Sequence, residues 1–281
     1  MKTRSFLVLL VMLQAVSAVS RCKESSWSNG KLKLDCTVIN DLLVIPLYYP
    51  EDGNAISVAV FSNNSHLSLQ EDMKLSDIGY KDVQVLEFER CNITQVYKGN
   101  FESLSILSKL ILSSNKLRSI EAGSFSDLSR LETLDLSDNN LVTLDHGTLT
   151  VLTNLRILIL SKNRFQTLMI PGLVKEEKQN QTFWKMTELS LSDNPWKCNC
   201  DLGPLHRDLK ARGLLSDTVR CSDSPSVPWT MMTPSNFTCP PSLSVVQLNS
   251  NLGLIVGLSV LGVFTLLCLS IFLLWKKKFR N

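Results

Sequence analysis

The chain has 281 residues, 44% hydrophobic and 20% charged, with 29 Lys and Arg against 26 Asp and Glu. That length holds one sizeable domain or two small ones. Two basic residues fall in the first apolar stretch and four after the last, so 23 basic residues face 26 acidic ones in between. The resulting net charge of −3 gives no support for a nucleic-acid partner.

Residues 1–18, "MKTRSFLVLLVMLQAVSA", have a basic start (Lys2, Arg4), an apolar run and small residues at Val16, Ser17 and Ala18. This is the pattern of a secretory signal peptide cleaved after Ala18 or Ser20. The run is short for a membrane anchor. Residues 19–54 form the next block, in which "RCKESSWSNGKLKLDC" can close Cys22 to Cys36 around a hairpin. A crosslink over so short a loop contributes about 3 kcal/mol in the chain-entropy estimate.

A repeat occupies residues 55–194. The segments "VQVLEFERCNI", "LSKLILSSNKL", "LETLDLSDNNL", "LRILILSKNRF" and "MTELSLSDNPW" all read LxxLxLxxNxL with small departures. The second Leu falls at Leu86, Leu110, Leu134, Leu158 and Leu189, in steps of 24, 24, 24 and 31. Such a period marks a solenoid of leucine-rich repeats, whose turns must stack because one turn cannot bury its own apolar face. LxL is a short strand with leucines inward and intervening residues outward. The Asn row (Asn115, Asn139, Asn163, Asn194) lies where the chain leaves the strand, where a buried amide can satisfy backbone groups of adjacent turns. Cys91 takes the Asn position of its turn and reads as a small buried residue. Ile120, Phe125 and Leu128, then Leu144, Leu149 and Leu152, supply core from the return arms. Upstream, "ISVAVFSNN" reads as a degenerate sixth turn with Val58, Val60 and Asn63 in register. That register places Asn63 in the buried row and makes it a poor glycosylation site.

The step of 31 holds a seven-residue expansion within "IPGLVKEEKQNQTFWK". Its charged "KEEKQNQ" cannot pack in a core and should protrude. Residues 195–240 contain "NPWKCNCDLGPLHRDLKARG" followed by Cys221 and Cys239. The eight cysteines are 22, 36, 91, 198, 200, 221, 239 and 268, six of them clustered at the two ends of this region. In a secreted chain that clustering implies disulfides. Four Asn-x-Ser/Thr sequons, at Asn63, Asn92, Asn180 and Asn236, fit the same compartment.

After a linker, 241–251, residues 252–275 run for 24 residues without a charge, enough to span a bilayer. Lys276, Lys277, Lys278 and Arg280 follow, and the preceding flank has no Lys or Arg, so residues 276–281 are expected in the cytoplasm. Gly253 and Gly257 form a GxxxG pair through which two spans could approach as a homodimer. Cys268 reads as apolar filler.

The C-x-C segment with Cys221 and Cys239 resembles the carboxyl-terminal cysteine cap of extracellular leucine-rich repeat proteins. The resemblance implies pairing of alternate cysteines, Cys198–Cys221 and Cys200–Cys239. The amino-terminal block looks like the matching cap with two cysteines where many members have four. The fold class expected is therefore an α/β solenoid, a disulfide-capped arc followed by one transmembrane helix.

Three histidines (His66, His146, His206) show no metal-binding spacing, and no catalytic or phosphate-binding motif is present. Asp135 and Asp138 fall on ordinary surface positions. Neither an enzyme nor a cofactor is expected. The outward strand positions are Val85 and Glu87, Lys109 and Ile111, Thr133 and Asp135, Ile157 and Ile159, Glu188 and Ser190. They should line a concave ligand face, with the expansion before the last strand as its rival. In layout the chain is similar to Toll-like receptor ectodomains without the signalling domain, to leucine-rich repeat auxiliary subunits of potassium channels, and to short adhesion members of platelet glycoprotein complexes. The expectation is a plasma-membrane recognition protein, ectodomain outside, that binds a protein or microbial ligand and acts through a partner chain. A channel subunit and an adhesion protein are the alternatives.

Overall fold

A computed structural model describes residues 22–27, 31–36, 56–145, 147–168 and 185–237. The expected signal peptide, the expansion with Asn180, Cys239, and everything from the linker to the tail, with Gly253 and Gly257, lie outside the described residues. Among the described residues no helix is long and apolar enough to cross a membrane.

Among the described residues two sheets are formed. The larger contains β1 (Lys23–Trp27), β2 (Lys31–Asp35), β3 (Ile56–Val60), β4 (Val85–Glu87), β6 (Lys109–Ile111), β8 (Thr133–Asp135), β9 (Ile157–Ile159) and β10 (Glu188–Ser190), in that spatial order. β1 and β2 make an antiparallel hairpin closed by the Cys22–Cys36 disulfide. From β2 onward every pairing is parallel. Ala59, Leu86, Leu110, Leu134, Leu158 and Leu189 stand in one row at the strand centres, and all are buried. A second small sheet pairs β5 (Gln95–Val96) with β7 (Ser119–Ile120) on the return arms.

The Asn row explains how the turns lock. Asn139 Nδ2 donates to the Leu112 carbonyl of the preceding turn at 2.9 Å and to Leu136 O at 3.0 Å in its own. Its Oδ1 accepts from the Leu117 N–H at 2.9 Å. Asn163 repeats this with Leu136 O and Leu141 N–H, and Asn194 with Leu160 O and Phe165 N–H. Each amide thus satisfies backbone groups of two turns that are shielded from water. The residue before each Asn-row position is left-handed: Asn63, Arg90, Ser114, Asp138, Lys162 and Asp193 have φ between 54° and 62°. The same sharp exit from the strand recurs in every turn.

The first turn departs from the register expected above. Ala59, not Val58 or Val60, pairs with Leu86. The buried amide is accordingly Asn64, 1% exposed, while Asn63 is exposed with a left-handed backbone. Asn63 therefore lies at the surface, accessible as a sequon. "VAVFSNN" offers four consecutive apolar residues and two adjacent asparagines, so its alternation alone admits either frame.

Among the described residues the α part of the expected class is one helix, α1 (Gly203–Arg212), in the carboxyl-terminal cap. Among the described residues the return arms contain turns, the short β5–β7 sheet and one 3-10 turn, Leu75–Ile78. Gly123, Ser124, Ser126 and Ser129 crowd one such arm, and these are poor helix formers. Phe101 and Phe125, both buried, fill the space with ring centroids 5.9 Å apart.

The cap closes the last turn with aromatic rings. Phe165 stacks on Trp196, Trp196 meets Trp229 at 5.6 Å, and Trp229 meets Phe237 edge-on. Cys198 is bonded to Cys221, their Cα atoms 5.6 Å apart. Cys200 is also disulfide-bonded. α1 packs Leu205, His206 and Leu209 inward and ends at Gly213, where φ is +68°.

His206 is 2% exposed, and its Nε2 lies 2.8 Å from the Trp229 carbonyl, with the Phe237 ring at 4.6 Å. Burial holds its pKa below the usual 6.5; the Trp229 carbonyl opposes this, and Lys210 adds to it. A base depressed in the folded state contributes stability above its unfolded pKa and loses it as pH falls. The thermal midpoint is therefore expected to drop between pH 7.5 and pH 5, and His206→Gln should flatten that slope. An unchanged slope in the variant would place the pH dependence elsewhere.

Candidate functional site: the concave strand face

Because strand side chains alternate, the residues flanking each buried central leucine point away from the core. In register they make two rows. One runs Val58, Val85, Lys109, Thr133, Ile157, Glu188; the other runs Val60, Glu87, Ile111, Asp135, Ile159, Ser190. Lys33 and Asp35 of β2 continue the rows and pair with each other at 3.3 Å.

The face is not uniform. Val58 and Val60 are only 5% and 6% exposed, so the first turn contributes little accessible surface here. Val85, Glu87, Lys109, Ile111, Thr133, Asp135, Ile157 and Ile159 are half-buried, and Glu188 is exposed. Lys109 Nζ reaches Glu87 Oε1 at 3.1 Å, cancelling both charges. Asp135 Oδ1 accepts from the Ser137 N–H at 2.9 Å and from Ser137 Oγ at 2.6 Å. At the edge of the face an open cavity of about 360 Å³ is lined by Gln84, Ser108, Glu132 and Asn154, with Arg130 and Ile106.

Three isoleucines, Ile111, Ile157 and Ile159, and Val85 stand on this surface outside the buried core. Ile157 and Ile159 share β9. Ile111 and Ile159 flank Asp135 as its direct neighbours on β6 and β9. The arrangement suits contact with another macromolecule: apolar area with a few fixed polar groups. Among the described residues there is no cluster of His, Cys, Asp or Glu able to hold a metal ion. Asp138 projects from the left-handed exit of its turn and is exposed, apart from Asp135 in the strand.

Other candidate residues lie off this face. Asn236 is exposed in the cap; its Oδ1 accepts from the Thr233 N–H at 2.8 Å. Asn92 is half-buried, its N–H donating to Leu67 O. Cys91 is a free, buried thiol whose Sγ donates to the Phe61 carbonyl at 2.8 Å, as the Asn-row amides do to the turn before them. Burial pushes its pKa up to about 11. The thiolate is the reactive form, so native protein should resist iodoacetamide at pH 8 and label fully at Cys91 only after denaturation. Rapid native labelling would show that this turn opens.

The sequence pattern carries no sign of the Ser137–Asp135 bond, because serine follows each strand so regularly that Ser137 gives no local signal. Val58 and Val60, expected as inward residues, are buried, but they occupy the outward positions of their strand, with Ala59 inward. A model of the Leucine rich repeat family matches residues 81–141, the span from β4 through β8. No curated protein matches the chain.

Proposed function

We propose that this leucine-rich repeat protein is a cell-surface recognition chain that binds a protein through its concave strand face and acts with a partner chain. The observation that carries the reading is the accessible isoleucine set Ile111, Ile157 and Ile159, on β6 and β9 to either side of β8 and not required by the core. A solenoid needs its inward leucines for stability; it does not need isoleucine on the outward side of the same strands. The exposed sequons Asn63 and Asn236 both lie off the outward strand rows, so glycans at either would not occupy them. The surface location rests on the sequence: an amino-terminal signal pattern, and the apolar residues 252–275 with a basic flank. No enzymatic role is assigned.

Proximity labelling by the full-length protein in cells that express it, repeated with Ile157→Arg and Ile159→Arg, tests the reading. Both variants should reach the surface in normal amounts and lose the labelled neighbour. Glu102→Ala, which removes a surface ion pair with Lys74 on the return arms, should retain it. Equal retention by all three variants would move the binding surface off the strands.

A further inference from the structure

We propose that Asp135 is the receptor for a cationic side chain of the bound protein, an arginine or lysine carried between aliphatic neighbours. This rests on the concave face being the binding surface, and goes further by naming the chemistry of what binds there. Asp135 sits at the middle of the outward row, with Ile111 on one side and Ile159 on the other in direct register. Adjacent parallel strands lie about 4.8 Å apart, so both isoleucines touch the space above the carboxylate. They reduce its access to water without supplying a counter-charge.

Three facts bear on the cation. First, both hydrogen bonds to this carboxylate, from Ser137 N–H and Ser137 Oγ, go to Oδ1. They hold the group in one orientation and leave Oδ2 without a donor among the described residues. Second, the available base on the face is already used: Lys109 Nζ is on Glu87 at 3.1 Å, on the strand away from Asp135. Third, the bases near the rows are engaged elsewhere, Arg156 with Glu132 at 3.9 Å and Arg90 with Glu89 at 2.9 Å, while Glu188, exposed at the end of the other row on β10, adds a carboxylate and no base. The middle of the face thus keeps one oriented carboxylate oxygen, flanked by apolar side chains and lacking a basic partner among the described residues. An incoming guanidinium or ammonium completes that oxygen's hydrogen bonding while its stem, or its neighbours, covers Ile111 and Ile159. An acidic or neutral polar group in the same place would leave the carboxylate desolvated and unpaired, which is how a surface of this kind discriminates.

Purified full-length protein in detergent is titrated with a fluorescent decapeptide whose single arginine is flanked by valines, and with a twin carrying citrulline in its place. The arginine peptide should bind at least about tenfold more tightly, the lower range for a hydrogen bond to a charged group. Asp135→Asn keeps the Ser137 bonds possible and should erase the difference. Asp193→Asn, exposed at the exit from the last strand, should keep it. Equal binding of the two peptides, a preference that survives Asp135→Asn, or no binding at millimolar concentration each overturns the assignment. Ile111→Ser and Ile159→Ser separate the two levels of the proposal. If they weaken both peptides while Asp135→Asn does nothing, the concave surface binds and the cation site is wrong. If they too have no effect, the concave reading falls with it.

Discussion

Leu134→Asp is expected to leave no folded protein, whereas Lys109→Asp, one strand away, should fold normally. Leu134 is 0% exposed at the centre of β8, with Leu110 and Leu158 paired on either side. Removing the side chain alone would cost about 2–5 kcal/mol as lost burial and cavity. The introduced carboxylate adds the penalty of an unpaired buried charge or of its forced protonation. Against a total stability of about 5–15 kcal/mol for an ordinary domain, that sum is decisive. Lys109 lies on the opposite side of its strand and forms a partly exposed pair with Glu87. Losing such a pair costs at most about 1 kcal/mol. Yield of folded protein and a thermal melt separate the two variants. A cooperative, wild-type melt for Leu134→Asp would show that the inside and outside of the strands have been exchanged.

Asn139→Leu should lower stability by about 3 kcal/mol without changing the fold. The substitution keeps the branched shape of the side chain but leaves the Leu112 and Leu136 carbonyls and the Leu117 N–H without the partners that Asn139 supplies. One buried unsatisfied group costs about 1–3 kcal/mol, and three affected groups share what water can recover at a site 7% exposed. Urea titration monitored by circular dichroism measures the loss. A shift under about 1 kcal/mol would mean that water replaces the amide and that the Asn row contributes little to holding the turns.

The repeat could be read from residue order because its physical causes are local. A leucine every second residue sets the buried strand row, and an asparagine five residues after the central leucine sets the buried amide. The outward strand positions follow from the same alternation, so the candidate face was legible residue by residue from Val85 to Glu188. What was not legible depended on neighbours distant in sequence. Adjacent in sequence, Asn63 and Asn64 are separated by which of them is buried, and the pairing of Ala59 with Leu86 decides it. The character of the return arms was obscured for another reason: apolar spacing there fits helix or turn alike, and Gly123 with its serine neighbours decides for turns. His206 in "LHRDLK" carries no local sign of burial; the rings of Trp229 and Phe237, 23 and 31 positions later, make it interior.

The order in which the strands pair has a consequence for how such a chain comes into being. Each principal strand meets only the one before it and the one after it in the chain, from β1 through to β10. No part of the ladder waits for a distant segment to be synthesised. The first hairpin and its crosslink between residues 22 and 36 can be complete while the rest is still being made. Each further turn, 24 to 31 residues long from Ala59 onward, then extends an existing edge at a loop-closure cost that does not grow with total length. The exposed growing edge is a transient hazard, since an unpaired strand invites foreign pairing. The bond from Cys198 to Cys221, drawn from the last residues of the array, ends that vulnerability. Assembly therefore has a direction, and the two cysteine-bearing ends are its start and its stop.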